Sequence, residues 1–218
     1  MKTHKQIWEA IAEEIKEGVI SGRYEPDERL KEAELAEKYS VSKTPVREAL
    51  RYLERIGFVE IVPHTMARVK KMNQKEVEDL YMIQGVLEGL AGREALKHLS
   101  EGDHEKMKTC LDLLEKHSRE KNSSEYEKAN IKFHGIFWKA CHNSKLTELI
   151  NNIHEQLQKF RSITRRYPER FKDLAEDHRK IFEAVVQRDA MKVDFLFQRH
   201  VAKQKKYIVD ILEKENHL

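Results

Sequence analysis

Only one stretch of this 218-residue chain alternates with the two-residue period of a β-strand, and it is short. Phe58-Val59-Glu60-Ile61-Val62 and Ala67-Arg68-Val69-Lys70 read as strands around a Pro63-His64-Thr65-Met66 turn. Elsewhere apolar residues recur at helical spacing. The chain is therefore expected to be mainly α, with a hairpin set after its first three helices. Eight glycines and four prolines are too few for a linker-rich or mostly β chain.

The first helix is predicted from about His4 to Ser21, where Ile7, Ile11, Ile15 and Val19 recur every four residues. Gly22 stops it, and Pro26-Asp27 marks a turn. A second helix follows from about Glu32 to Tyr39, broken by Ser40-Val41-Ser42. The third runs to about Ile56 and ends at Gly57, a position for a left-handed cap. Pro45 lies in its first turn, where a missing N–H costs nothing. From Met72 onward six helices are predicted. Asn73 with Glu76 reads as a capping box, with Met72 and Val77 as a hydrophobic staple, and Ser100 with Asp103 caps the next helix. Later helices start near Ser123, at Ser144 and at Asp189, and Tyr167-Pro168 separates two of them. The expected division is residues 1–71 and 72–218.

Helix, three-residue turn, helix and two-stranded wing is the winged helix-turn-helix order. In the third helix Val46, Ala49, Leu50 and Leu53 form the core stripe, and Lys43, Thr44, Arg47 and Arg51 point elsewhere. Arg47 and Arg51 are four apart and hence neighbours. The chain as a whole is nearly neutral, with 41 basic and 38 acidic residues, so a nucleic-acid reading must rest on local placement. Residues 38–55 supply it, with five basic and two acidic side chains. Taken alone, such a helix is as often an ordinary solvated face.

Leu35-Ala36-Glu37-Lys38-Tyr39-Ser40-Val41-Ser42-Lys43-Thr44-Pro45-Val46-Arg47-Glu48-Ala49-Leu50 closely resembles the LAxxxxVSRTPVREAL signature of GntR-family transcription regulators, and Arg51 to Phe58 continues the match. The resemblance implies DNA contacts from Ser42, Lys43, Thr44 and Arg47, and from the wing tip near His64 and Thr65. Lys31 and Arg51 complete the candidate DNA-binding set. Ala33 stands where the family often has Arg, and Met66 where its wing usually turns on Gly, so an operator sequence does not transfer.

Most of the eleven histidines sit among polar neighbours and are expected at the surface. Three do not. His134 falls in the stripe of Phe133, Phe137 and Cys141; His178 lies between Leu174 and Ile181; His200 lies between Leu196 and Gln204. One such residue is more often a hydrogen-bonded core histidine. Three on facing helices can converge on one divalent metal. Asn130 lies one turn before His134 on the same face.

The C-terminal half resembles an FCD effector domain, a helical bundle, and six helices suggest its VanR-like branch rather than the seven-helix FadR-like one. Asn130-Ile131-Lys132-Phe133-His134, Asp177-His178-Arg179-Lys180-Ile181 and Gln198-Arg199-His200 are similar to its DxxFH, EHrxI and distal H motifs. The resemblance implies a divalent ion (zinc, nickel or manganese) on Asn130, His134, His178 and His200, beside a carboxylate effector. Asn130 replaces the family's Asp and offers a carbonyl oxygen without charge, with Glu127 one turn earlier as a substitute. Gln84 stands where the family often carries an effector-binding Arg, ahead of Leu87-Glu88, which leaves the carboxylate to Arg161 or Arg165.

The expected function is a ligand-responsive bacterial transcription regulator, a repressor and homodimer on a palindromic operator. One alternative is a metal-dependent enzyme on the histidines, although no HExxH is present. Another is a DNA-binding protein whose helical domain only dimerises. Cys110 and Cys141 form no CxxC pair, which excludes a disulfide scaffold. No apolar run approaches the roughly 18 residues of a membrane span, and the first residues lack a leader's apolar stretch. A soluble, cytoplasmic protein is expected.

Overall fold

The computed structural model describes residues 4–62, 66–71, 74–164 and 167–214. The chain divides into two compact units, Met1–Asn73 and Gln74–Leu218.

The first unit runs α1 (His4–Ile20), β1 (Arg29–Leu30), α2 (Glu32–Lys38), α3 (Lys43–Arg55), β2 (Val59–Val62) and β3 (Met66–Val69). Its core joins Ile11, Ile15 and Val19 of α1 to Val46, Ala49, Leu50 and Leu53 of α3, and both to Phe58, Val59 and Val69. The stripes legible in the sequence are thus the buried faces. Gly57 sits at φ +78°. The Phe58 N–H bonds the Leu53 carbonyl and the Gly57 N–H that of Glu54, the paired bonds of a Schellman cap. Ser40 takes the same left-handed conformation, at φ +53°, between α2 and α3. The wing is three-stranded in the order β1-β3-β2, with Leu30 opposite Ala67 and Ile61 opposite Ala67 on the other side. The hairpin was expected; β1 was not, because two residues are too short for any period to show.

The second unit holds six α-helices among the described residues: α4 (Gln74–Ala95), α5 (Glu101–Arg119), α6 (Ser123–Ala140), α7 (Ser144–Thr164), α8 (Phe171–Val186) and α9 (Ala190–Lys214). A 3₁₀ turn, Pro168–Arg170, leads into α8. Ser100 and Asp103 close the capping box that starts α5. The side chains that open α6 and α7 are Asn122, accepting the Glu125 N–H at 3.2 Å, and Asn143, accepting that of Leu146 at 3.0 Å. Each precedes the expected serine by one residue, and an amide oxygen caps as well as a hydroxyl. The Met72–Asn73 cap and staple lie outside the described residues.

Phe133, Phe137, Phe197, Ile181, Met107 and Leu114 fill the core of this unit. Helix α4 lies against α9 at a distance that only glycine permits. A Cβ at Gly92 would stand 2.6 Å from the Phe197 ring, and one at Gly89 would stand 2.9 Å from the Asp194 backbone oxygen. Interior glycines cost a helix about 1 kcal/mol each relative to alanine. Packing against α9 offsets that cost. No helix among the described residues is long and apolar enough to cross a membrane.

Candidate DNA-binding surface and buried histidine centre

Burial separates the two faces of α3. Pro45, Val46, Ala49, Leu50 and Leu53 are buried, while Ser42, Lys43, Thr44, Arg47 and Arg51 are exposed. Ser42 occupies the N-cap position with extended backbone, yet its side chain makes no cap hydrogen bond. Its hydroxyl and the first-turn N–H groups suit a phosphate. Lys31, at the N-cap of α2, is exposed and paired with Glu34 at 2.6 Å.

Arg47 has a partner that sequence reading missed. Its Nε and Nη2 fork the Glu32 carboxylate at 3.0 and 2.7 Å. That hydrogen bond holds the Glu32 carboxyl below its ordinary range. The pair fixes the guanidinium's direction before any ligand arrives. Sequence spacing could not show it, because the two residues lie fifteen apart on different helices. His64 and Thr65, the expected wing-tip contacts, lie outside the described residues.

Within the second unit the three singled-out histidines meet. His134, His178 and His200 are 2 %, 0 % and 0 % exposed, and one ring nitrogen from each lies within 4.8 Å of the others. The Nε2 atoms of His134 and His178 face each other at 3.2 Å. Their other nitrogens are already committed. His134 Nδ1 is 3.0 Å from a Glu88 carboxylate oxygen, and His178 Nδ1 is 2.6 Å from the Leu174 carbonyl. Both acceptors require an N–H, so Nδ1 carries a proton on each ring, and Nε2 is the atom that each ring would turn toward a metal. The two Nε2 atoms point at one another in a buried site. Burial, with the neighbouring imidazoles, pushes the pKa of His178 well below its usual value, and burial lowers that of His200. Imidazoles anchored through Nδ1 to a carboxylate and a carbonyl are the arrangement of zinc-type ligands with their supporting shell. The donor set fits a divalent metal.

Glu88 is the residue the sequence undervalued. Fully buried on α4, it accepts from His134, from Trp138 Nε1 at 2.9 Å and from His154 Nε2 at 2.9 Å, while Gln84 Nε2 lies 3.3 Å away. Burial works against its charge, but His134 and His154 outweigh it and hold the carboxyl well below the ordinary range. His154, expected at the surface because Asn151, Asn152 and Glu155 surround it in sequence, has a side chain only 12 % exposed. A buried carboxylate needs donors, and α7 delivers one. Gln84 is buried between Glu88 and His154, a member of this network. Asp177 forms a second buried carboxylate. Its Oδ2 lies 2.7 Å from Lys203 Nζ and 3.8 Å from His200 Nδ1. Burial opposes its charge, yet His200 and Lys203 bring its pKa down to about 2.

A cleft opens beside the histidines. Asn130, Glu127, Tyr126 and Ser123 of α6, Arg170 and Tyr167 before α8, and Gln204 and Tyr207 of α9 contribute to its lining. Gln204 Nε2 lies 2.6 Å from His200 Nε2, so cleft and histidines share a wall. Arg170 donates to the Tyr207 carbonyl at 2.6 Å, with its guanidinium against the rings of Tyr167 and Tyr207. The buried Tyr126 hydroxyl has no hydrogen-bond partner among the described residues. Arg165 and the side chain of Arg161, the expected carboxylate partners, lie outside the described residues.

Comparison with known proteins agrees with both halves. Residues 7–69 match the bacterial regulatory proteins of the gntR family, and residues 79–203 match the FCD domain. The HTH-type transcriptional regulator YdhC of Bacillus subtilis is 28 % identical over 174 residues, covering 79 % of this chain and 77 % of that one. A probable D-xylose utilization operon transcriptional repressor of Paenarthrobacter nicotinovorans is 25 % identical over 197 residues, covering 88 % and 86 %. The structure of Escherichia coli McbR/YncC shares the fold with a TM-score of 0.75 over 95 % of this chain and 98 % of that one, at 18 % identity. With a winged helix at one end and an FCD domain covering more than half its length, the chain belongs to the GntR family of bacterial transcription regulators, and to regulators rather than enzymes.

Proposed function

We propose that this regulator is a repressor that binds a palindromic operator as a dimer and senses a small carboxylate beside a divalent metal held by His134, His178 and His200. The observation that carries the sensing half is the pair of facing Nε2 atoms, with both Nδ1 atoms committed to other partners. When bound, a divalent ion would supply positive charge for an anion. Three imidazoles leave that charge uncompensated, and Asn130 adds an oxygen donor but no negative charge. Glu88 sets the tautomer of His134, and the α8 backbone sets that of His178. Arg170 is the cation that lines the cleft, and with one of its donors on the Tyr207 carbonyl a carboxylate would take the others; Gln84 belongs to the Glu88–His154 network. The Tyr126 hydroxyl adds an unused hydrogen-bonding group.

On the DNA side, Ser42, Lys43, Thr44, Arg47 and Arg51 form the contact surface, with Lys31 at its margin. One α3 reads too few bases, so two copies on a two-fold site are needed. Relatives named as repressors support the direction of control. A carboxylate that favours one arrangement of the sensor helices changes operator affinity by the same coupling free energy, typically about 1–3 kcal/mol.

The test compares wild type with His178→Ala. After dialysis, elemental analysis should find about one zinc, nickel or manganese per wild-type chain and none in the variant. The variant should bind operator as wild type does but lose the response to carboxylates. Metal retained in full by His178→Ala overturns the metal site.

A further inference from the structure

Lys43, Arg47 and Arg51 follow one another turn by turn along the exposed face of α3. The side chains of Lys43 and Arg51 make no hydrogen bond among the described residues. Arg47 is half-exposed as well, yet it is held by Glu32 through Nε and Nη2. Holding a long side chain costs conformational freedom, and an exposed ion pair returns little stability for it. Glu32 also sets a negative charge beside three cations on a surface that meets a polyanion. Arg47, with Lys43 and Arg51 behind it, keeps that carboxyl ionised. For attraction to phosphates alone, this carboxylate works against binding. It serves a contact that depends on direction.

The fork says which direction. A guanidinium presents one pair of parallel N–H groups on its Nε–Nη2 edge and another on its Nη1–Nη2 edge. Glu32 covers the first edge, and the second has no partner among the described residues. A pair of parallel donors matches O6 and N7 of guanine, the acceptors that mark a G·C pair in the major groove. Glu32 is the first residue of α2, where the helix-start N–H groups favour a carboxylate. The first helix of the motif thus supplies the anchor, and the second supplies the arm.

We propose that Glu32 is the positioning residue that makes Arg47 a guanine reader, holding one edge of the guanidinium so that the other meets O6 and N7 of one guanine in each half-site. This rests on the operator-binding reading above, and the experiment separates the two.

Sequences selected from a random DNA pool by the full-length wild type define the operator. Affinities of wild type, Glu32→Ala, Glu32→Gln and Arg47→Ala are then measured over a range of salt. The DNAs are that operator, each of its single-base replacements and an unrelated duplex. Wild type should lose about 5- to 150-fold on replacement of one G·C pair in each half-site, the discrimination of a bidentate arginine–guanine contact. Arg47→Ala should lose the preference at that pair and keep it elsewhere. Glu32→Ala should lose it at the same pair while binding unrelated DNA more tightly than wild type does. Its salt dependence should be steeper by about one phosphate contact per chain, because the freed guanidinium turns to the backbone. Glu32→Gln keeps the length of the side chain but not its two acceptor oxygens, and should fall between wild type and Glu32→Ala. A purely structural role would lower the unfolding midpoint without moving the preference at a single base pair. A wild type without sequence preference overturns the operator reading and this inference with it. A selective wild type whose Glu32→Ala form keeps the guanine preference, or loses it at a different base pair from Arg47→Ala, overturns the inference alone. So does unfolding of both Glu32 variants, which would make the pair a support of the fold.

Discussion

The first unit keeps its candidate site residues exposed, whereas the second buries its own. In the DNA-binding unit Ser42, Lys43, Thr44, Arg47 and Arg51 are exposed over a core of aliphatic and aromatic residues. In the sensor unit Gln84, Glu88, His134, Asp177, His178 and His200 are buried among the phenylalanines. Solvent reaches the first set, and apart from the Arg47–Glu32 pair each residue can change with little effect on its neighbours. The second set is shielded from bulk solvent, and its groups depend on one another. The same kind of residue is therefore separable from stability in one unit and inseparable from it in the other.

The strongest attempt to break that contrast is Glu88→Ala. It strips the acceptor from His134, Trp138 and His154 at once and should cost the sensor unit about 3–5 kcal/mol, the usual penalty for breaking a buried charged network. The chain's two tryptophans fall one in each unit, so urea unfolding followed by Trp138 fluorescence in a Trp8→Phe background reads the sensor alone. An unchanged midpoint would mean that the buried network contributes nothing. Leu50→Ala comes next. It opens a cavity beneath α3 and should remove about 2–5 kcal/mol from the DNA-binding unit, leaving the Trp138 transition in place. Arg47→Ala should leave both transitions unmoved while weakening binding to a wild-type-selected operator by about 1–3 kcal/mol, with a shallower salt dependence. If its loss instead unfolds the unit, the bond to Glu32 is structural and the contrast fails there.

The smallest expected effect sharpens the comparison at a half-buried site of the sensor unit. Ser100 and Lys106 hold Asp103 at about pKa 2. A depressed carboxyl stabilises the fold above its ordinary pKa near 4, and that contribution disappears as pH falls from about 4 to 2. Asp103→Ala should cost about 1 kcal/mol at pH 7, a cap's worth, and the difference from wild type should close over that interval.

How much could be read from the sequence follows the same division. The helix stripes, the Gly57 cap and the hairpin are local patterns, and each appears where residues a few positions apart demanded it. The three histidines were found because each interrupts an apolar stripe. The carboxylates that organise them were not. Glu88 follows Leu87 as any surface glutamate does, and only tertiary packing shows that its partners come from α6 and α7, 46 and 66 residues away. His154 escaped because its sequence neighbours are polar and its partners, Glu88, Gln84 and Trp138, lie on other helices. Arg170 stood in an unremarkable run of charge, and only the rings of Tyr167 and Tyr207 single it out.

The glycine-lined seam between α4 and α9 bears on the order in which the protein is made. Helix α4 carries Gly85, Gly89 and Gly92 and is too weak a helix former to hold its shape in isolation. The partner that steadies it is the last of the six described helices, some hundred residues later in synthesis. While a ribosome builds the chain, the DNA-binding unit has every residue it needs before α4 emerges. The sensor must wait for α9, leaving Glu88 and the histidines without their enclosing core until then. The nascent helical unit is thus exposed to proteases and chaperones for longer than the winged helix, and an interrupted translation product would retain the ability to fold the winged helix but not the helical unit.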